Sequence, residues 1–431
     1  MKAILFSMLL SLASNLLFAQ DQEVVSWLNA NAIEITETEK GSALQAFQQQ
    51  APKKFLQAKV WGFGEATHHS KEFFELKAKF FQYLVEKQQV RAFLMEESYP
   101  AEKAINEWIS GGKGDIHAVV KSFSITTWQC QEVANLLLWM RKYNQERPKQ
   151  EHIRFFGLDI QTIEGINKDL RAAVSAMGLE VNEQLLLAAD SCANQQFMYQ
   201  RPPQNWSERQ LPSLKEISSI VNEAKKGASP EKLHVFNNMI RILNTLMHYT
   251  LYVQSPHSSI RDQAMFENAK FILENEAVGG KAFVWAHNNH INNKELPPYG
   301  SNWTSMGGHL KAYYKEKYYS VGFDFGGGIV PSYDAKNYRY NYLEIKKPFK
   351  KTYAATLNQA NSNCYFIDIT EATESSIAPF FQEKKKQFIL GGPGFVSKMR
   401  SLPLIEYAES YDGLIFVKTV SMPQYNLSDD Q

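Results

Sequence analysis

Short apolar runs alternate along the chain with longer stretches in which apolar positions recur every three or four residues. The runs Ala58–Trp61, Val90–Met95, Ile153–Phe156, Lys281–Ala286 and Tyr318–Phe323 read as strands, and so do Tyr342–Ile345, Cys364–Ile367 and Leu414–Val417. A continuous apolar run with little alternation predicts a strand buried on both faces. Between the runs the period is helical. Lys71 to Gln88 carries Phe73, Leu76, Phe80 or Phe81, and Leu84 at helical spacing, and Trp128 to Asn144 carries Leu136, Leu137 and Trp139. A further amphipathic helical pattern spans Gln22 to Gln50, through Val25, Trp27, Leu28, Ala43, Leu44 and Phe47. Pro100 opens a helix that Gly111 and Gly112 close.

Strands alternating with helices predict βαβ units and an α/β fold with a mainly parallel central sheet flanked by helices. From about Glu164 the strand-like runs vanish, and helical patterns hold to Glu276, broken only at Pro202–Pro203 and Gly227–Pro230. This predicts a large helical insertion covering the C-terminal edge of the strands. The expected organisation is a signal peptide at 1–19, a discontinuous α/β core at 20–163 and 278–420, the helical insertion at 164–277, and a flexible tail at 421–431.

Composition agrees with a globular chain: 44% of the residues are hydrophobic and 21% charged. Lys and Arg number 46 against 45 Asp and Glu, so no basic surplus exists to recruit nucleic acid. Aromatic residues reach 13%, enough to fill a core and still line an apolar cleft. Met1–Lys2 followed by an apolar run to Phe18, with Ala19 before Gln20 and Asp21, reads as a secretory signal peptide cut after Ala19. Export to the periplasm or the outside follows, with no stable membrane insertion after cleavage. The cysteines, Cys130, Cys192 and Cys364, have no metal or redox spacing and are read as structural, with at most one disulfide among them.

The polar residues that change this picture sit where strands end. Gly62 to Ser70 packs Glu65, Thr67, His68 and His69 into a glycine-broken turn between a strand and a helix. Met95 runs into Glu96 and Glu97, Phe156 into Gly157 and Asp159, and Ala286 into His287 and His290. In a parallel sheet such ends share the ligand-binding edge, which predicts that they meet. A Gly-x-Ser-x-Gly nucleophile elbow is absent, which weakens a covalent serine mechanism. A histidine held by a carboxylate acts instead as a general base on water, and Glu65 and His68 are spaced for that. Lys77, on the following helix, and Arg261, from the helical stretch, are candidates to stabilise an oxyanion. The rival reading is a metal site, for which His68, His287, His290, Glu96 and Asp159 include the ligand types. Gly326–Gly328 is followed by no Lys-Ser/Thr and makes a poor phosphate loop.

In order along the chain, these motifs resemble the erythromycin esterase family. The resemblance is carried by Gly64-Glu65-Ala66-Thr67-His68 with Glu72-Phe73-Phe74, Met95-Glu96, and Gly157-Leu158-Asp159. It continues through Arg261-Asp262 with Met265, Glu267 and Asn268, then Trp285-Ala286-His287-Asn288 with His290, Met306-Gly307, and Tyr319 to Phe323. It implies a cofactor-free, metal-independent hydrolase that opens macrolide lactones by water attack. His68 matches the family's general base and Glu65 its acidic partner, while His287 and Glu96 match further active-site residues. Lys77, Arg261, His290 and Asp159 are expected to bind substrate or stabilise the oxyanion. Lys77 stands where the family has an arginine, His69 where it has glycine, and Glu97-Ser98 where Ala-Asp is usual. The partner implied is a small-molecule ester or lactone. The alternatives are a metal-dependent hydrolase of an amide or phosphoester, and a non-catalytic exported ligand-binding protein.

Overall fold

The computed structural model describes residues 20–35, 44–256, 259–296, 303–334, 339–387 and 402–427. The expected signal peptide lies outside the described residues, as do residues 428–431 of the expected tail. The chain is α/β, with a mostly parallel central sheet flanked by helices, as the alternation predicts. It divides into two compact units. One comprises residues 1–83, 287–294 and 319–423; the other comprises 84–286, 295–318 and 424–431.

In the first unit the strands lie in the order Ile33–Glu34, Cys364–Asp368, Gly413–Val420, Tyr318–Asp334 and Val60–Phe63. Gly413–Val420 runs parallel to Tyr318–Asp334, whereas Cys364–Asp368 and Ile33–Glu34 pair antiparallel towards the edge. Arg339–Ile345 folds back antiparallel on the far end of Tyr318–Asp334. The helical pattern read over Gln22 to Gln50 is interrupted. A helix covers 20–31, then Ile33 pairs with Phe366 and the Ile35 N–H donates to the Cys364 carbonyl, before a second helix at Gln45–Gln50. Ile33 and Ile35 are both buried there, so completing the sheet edge outweighs local helix propensity.

Gly326–Gly328 does not end a strand but continues it. A Cβ on Gly328 would lie 1.9 Å from the Val420 carbonyl oxygen, and one on Gly326 would lie 2.0 Å from Asn358 Oδ1. The glycines allow close backbone approach in the sheet. Helix Lys71–Gln88 turns Phe73, Phe80, Phe81 and Leu84 inward, and Phe47 meets Phe80 edge to face at 4.9 Å.

In the second unit Ala282–Trp285, Ala92–Ser98 and Arg154–Asp159 are adjacent and parallel. Phe93 lies in register with both Phe155 and Phe283 and stacks on the latter at 5.7 Å. Every residue of Ala92–Ser98 is buried, the reason its first half reads as an unbroken apolar run. The strand continues beyond Met95, taking Glu96 and Glu97 inside it with a register shift. Gly157 permits this, since a Cβ there would lie 2.6 Å from the Ser98 carbonyl oxygen.

Among the described residues of 164–277 every element is helical, and the long helices Trp206–Lys226, Pro230–Gln254 and Ile260–Asn275 dominate. Leu214, Ile217, Leu243, Leu246 and Tyr249 form part of their apolar core. Arg241 anchors this layer. Its guanidinium grips the Glu102 carboxylate at 2.8 and 2.9 Å and donates to the Gly157 carbonyl at 3.1 Å, all buried.

All three cysteines are buried free thiols, as structural cysteines would be. Burial pushes the Cys192 thiol up to about 11, against a smaller lowering by its hydrogen bond with Thr250. The first residues of the expected tail are tied down. The Ser421 backbone N–H and hydroxyl both donate to Glu72, and the Gln131 N–H donates to the Gln424 carbonyl. No helix among the described residues is long and apolar enough to cross a membrane.

Candidate active site

Strand Val60–Phe63 is buried throughout, and its backbone ladder ends where the Gly64 N–H donates to the Val321 carbonyl at 2.9 Å. The chain then turns. Glu65 is fully buried, and each of its carboxylate oxygens has a different partner. Oε1 lies 2.5 Å from His68 Nδ1, and Oε2 accepts from the Lys77 ammonium at 2.5 Å. Lys77 is also fully buried, on the second turn of helix Lys71–Gln88. The Ser70 hydroxyl starts that helix by accepting the Phe73 N–H at 3.3 Å.

The charges explain how this turn holds together. A buried carboxylate is unfavourable alone and needs a paired cation and hydrogen bonds. Lys77 supplies the cation, which leaves the second oxygen to accept the His68 Nδ1–H. With Nδ1 so engaged, the neutral His68 ring carries its lone pair on Nε2. The His68 side chain retains 14% exposure, so the ring reaches a place a small molecule can approach. His69 differs. Desolvation, and then the neighbouring His68 charge, lower it from 6.5 to about 4.

His287 is the N-cap of the short helix Asn288–Ile291, and its Nδ1 accepts the Asn289 N–H at 3.2 Å. An Nδ1 that accepts cannot carry the proton, so the neutral ring bears it on Nε2, as a donor. The His68 and His287 rings lie 4.8 Å apart, centroid to centroid. The two imidazoles therefore lie beside one another. His290 is buried in the same short helix, with its backbone N–H on the His287 carbonyl at 2.9 Å. Asn288 holds the neighbourhood together. Its backbone N–H donates to the Glu65 carbonyl, and its side chain both donates to the Phe323 carbonyl at 2.7 Å and accepts the Phe323 N–H at 3.0 Å.

The second unit holds the remaining candidates. Arg261 forks onto Asp159, with Nε and Nη2 donating at 2.9 and 2.8 Å, and the same Nη2 reaches Glu96 at 2.8 Å. Burial works against the guanidinium charge, but Asp159 and Glu96 together outweigh it. Glu97, next along the strand, turns to other partners. It accepts from the Ser98 N–H, the Ser124 hydroxyl and the Ile125 N–H. Burial nevertheless raises it to about 7. Asp262 accepts the Met306 N–H at 2.9 Å, at the first residue of helix Met306–Tyr314.

Of the residues expected from the sequence, the structure brings together Glu65, His68, Lys77 and His287 in the first unit, with His290 beside them. It joins Glu96, Asp159 and Arg261 in the second. Lys77, on the helix that follows the turn, is clamped onto Glu65. Sequence reading passed over Asn288 as a functional residue. It also passed over Asp324, wholly buried in the first unit, which accepts from the Tyr407 hydroxyl at 2.6 Å and the Phe325 N–H at 2.8 Å. Burial pushes Asp324 up to about 7 against those two bonds. The available signal was a lone Asp inside an otherwise apolar strand. Among the described residues, no group of three or more His, Cys, Asp or Glu side chains is placed to hold a metal ion.

Comparison with known proteins follows the same lines. Residues 85–420 match the model of a family described as Erythromycin esterase. The chain is 24% identical over 354 residues to erythromycin esterase type II of Escherichia coli, covering 74% of this chain and 83% of that one. A Bacillus cereus protein of known crystal structure superposes with a TM-score of 0.80 at 22% identity, covering 94% of this chain and 99% of that one. A mutant of the erythromycin esterase EreC, in its open conformation, superposes with a TM-score of 0.63 at 15% identity, over 89% and 96% of the two chains.

Proposed function

We propose that this chain, which belongs to the erythromycin esterase family, is a hydrolase that cleaves a carboxylic ester or macrolide lactone with a water molecule activated by His68. The observation that carries the reading is the pairing of Glu65 with His68 Nδ1 at 2.5 Å while His287 lies 4.8 Å away, ring to ring.

In this mechanism His68 Nε2 takes a proton from water as the oxygen attacks the carbonyl carbon. The imidazolium that forms is stabilised by the Glu65 carboxylate. The carbonyl π electrons move to oxygen, and that oxyanion accepts the His287 Nε2–H, a donor already oriented by its bond from Asn289. Collapse of the tetrahedral intermediate breaks the bond to the alkoxy oxygen, which takes the proton back from His68. The products are a carboxylic acid and an alcohol, or one hydroxy acid from a lactone. Lys77 stays on Glu65 throughout and acts as a positioning residue. No step in this scheme calls on a metal ion or cofactor. Arg261, Asp159, Glu96 and His290 are proposed to bind substrate or complete the active site. The signal peptide expected at 1–19 would place the enzyme outside the cytoplasm, which fractionation of producing cells tests.

The testing experiment incubates purified protein with a panel of macrolides and simple esters and follows the mass gain of one water. H68A should lower turnover by a factor of about 100 or more. Near-normal turnover in that variant would refute His68 as the base, and a panel with no product in the wild type would refute the reaction.

A further inference from the structure

Where strand Val60–Phe63 leaves the sheet, a gap opens in the ladder. The last backbone bond is from the Gly64 N–H to the Val321 carbonyl. The next groups on the facing strand that point the same way are the Phe323 N–H and C=O. No peptide group meets them, because the chain has turned away towards Glu65 and His68. The carboxamide of Asn288 takes that place. Its Oδ1 accepts the Phe323 N–H and its Nδ2 donates to the Phe323 carbonyl, at 3.0 and 2.7 Å. A side-chain amide here does what a strand residue does in a ladder, offering one donor and one acceptor side by side.

The same residue also holds the turn. Its backbone N–H donates to the Glu65 carbonyl at 3.0 Å, and it directly follows His287 in the chain. Asn288 is fully buried, and the space it fills exists because residue 64 has no side chain. A Cβ on Gly64 would lie 2.1 Å from Asn288 Oδ1. Gly64, Glu65, His287 and Phe323 are thereby referred to one rigid point, and the rings of His68 and His287 hang from its two sides.

We propose that Asn288 is the positioning residue that sets the spacing between His68 and His287, by completing the sheet ladder with its side-chain amide. This rests on the reading of these histidines as base and oxyanion donor. Asn288 contacts no substrate in this role. Gly64 is its structural complement, present to admit the carboxamide.

Two readouts test the proposal, one of which needs no substrate. Histidine-selective 15N NMR of the ligand-free protein, with His68 and His287 assigned by single substitution, reports which ring nitrogen carries each proton. In wild type, His287 should show Nδ1 unprotonated. In N288A that preference should be lost and the His68 signals should shift. Hydrolysis of p-nitrophenyl butyrate is the second readout. There N288A should lower kcat by about 100-fold, the size expected of a misplacement near 1 Å, with little change in KM. G64A should fall in kcat likewise, by pushing the carboxamide aside. The G64A/N288A double variant should be no worse than N288A alone, because the obstructed group is gone. N288D keeps the acceptor but sets a carboxylate against the Phe323 carbonyl. Its kcat relative to wild type should rise as pH falls and the acid form regains a donor. Should N288A fail to fold, N288D and G64A carry the same test. Unchanged His287 spectra in the folded variants, or losses in G64A and N288A that multiply in the double variant, would overturn the proposal. Absence of hydrolysis in the wild type counts against the esterase reading, and the spectra then decide the role of Asn288.

Discussion

Replacing Lys77 by Met isolates the electrostatics of the turn. The side chain is fully buried, and Met matches its length without its charge. In the native protein the ammonium lies 2.5 Å from Glu65 Oε2. With an effective dielectric constant of about 20, that separation gives an attraction of roughly 7 kcal/mol. Part of it offsets the desolvation of the ammonium, which the variant no longer requires, so the net loss should approach the ~3–5 kcal/mol seen when a buried pair loses one member. Glu65 keeps His68 Nδ1 as its other partner at 2.5 Å, which holds the loss towards the lower end of that range. Urea unfolding of wild type and K77M at pH 7, followed by tryptophan fluorescence, measures the difference. A penalty below about 1 kcal/mol would show that Lys77 is not the charge partner of Glu65.

Other substitutions test separate parts of the structure. Asp324 and Glu97 are both raised to about 7, so they favour the fold fully below about pH 4 and progressively less as pH rises to 7, with His69, lowered to about 4, opposing them. D324N should flatten the fall in stability between pH 5 and 7, at most by the ~1.4 kcal/mol per pH unit that one group supplies; an unchanged slope in thermal melts across that range would contradict the burial argument. R241A should destabilise by about 3–5 kcal/mol because it leaves Glu102 buried and unpaired, whereas R241M/E102Q should be milder; denaturant midpoints for the two should differ in that order. G328A places a Cβ against the Val420 carbonyl oxygen at a residue with a φ of 123°, and should lower the melting temperature by several degrees or abolish soluble expression, where G227A, with open space around it, should not. E65Q leaves Lys77 buried opposite a neutral amide and removes the charge that supports the His68 imidazolium; kcat for ester hydrolysis should drop by about 100-fold or more, and an unchanged kcat would remove Glu65 from the mechanism.

The amino-acid sequence alone determined most of the strands and helices, because their signal is local. Phe93, Leu94 and Met95 form an apolar run wherever the chain is read, and burial on both faces of a parallel strand demands such a run. The same locality made the Glu65–His68 pair legible, since three residues in one turn can place a carboxylate against an imidazole. The tertiary structure decided what depends on distant partners. Ile33 is a strand residue only because Phe366 lies beside it, and Gly326–Gly328 stays in a strand only because Val420 and Asn358 crowd it. Lys77 could be assigned to Glu65, and Arg261 to Asp159 and Glu96, only after folding had excluded water and left each charge to the neighbours within reach. Asn288 is the clearest case. As sequence it is a polar residue after a histidine. In the fold its carboxamide completes a ladder from which the Gly64–Ser70 turn has departed, because a buried N–H and C=O must be satisfied; Gln387 Nε2 adds a second donor to that carbonyl at 3.1 Å.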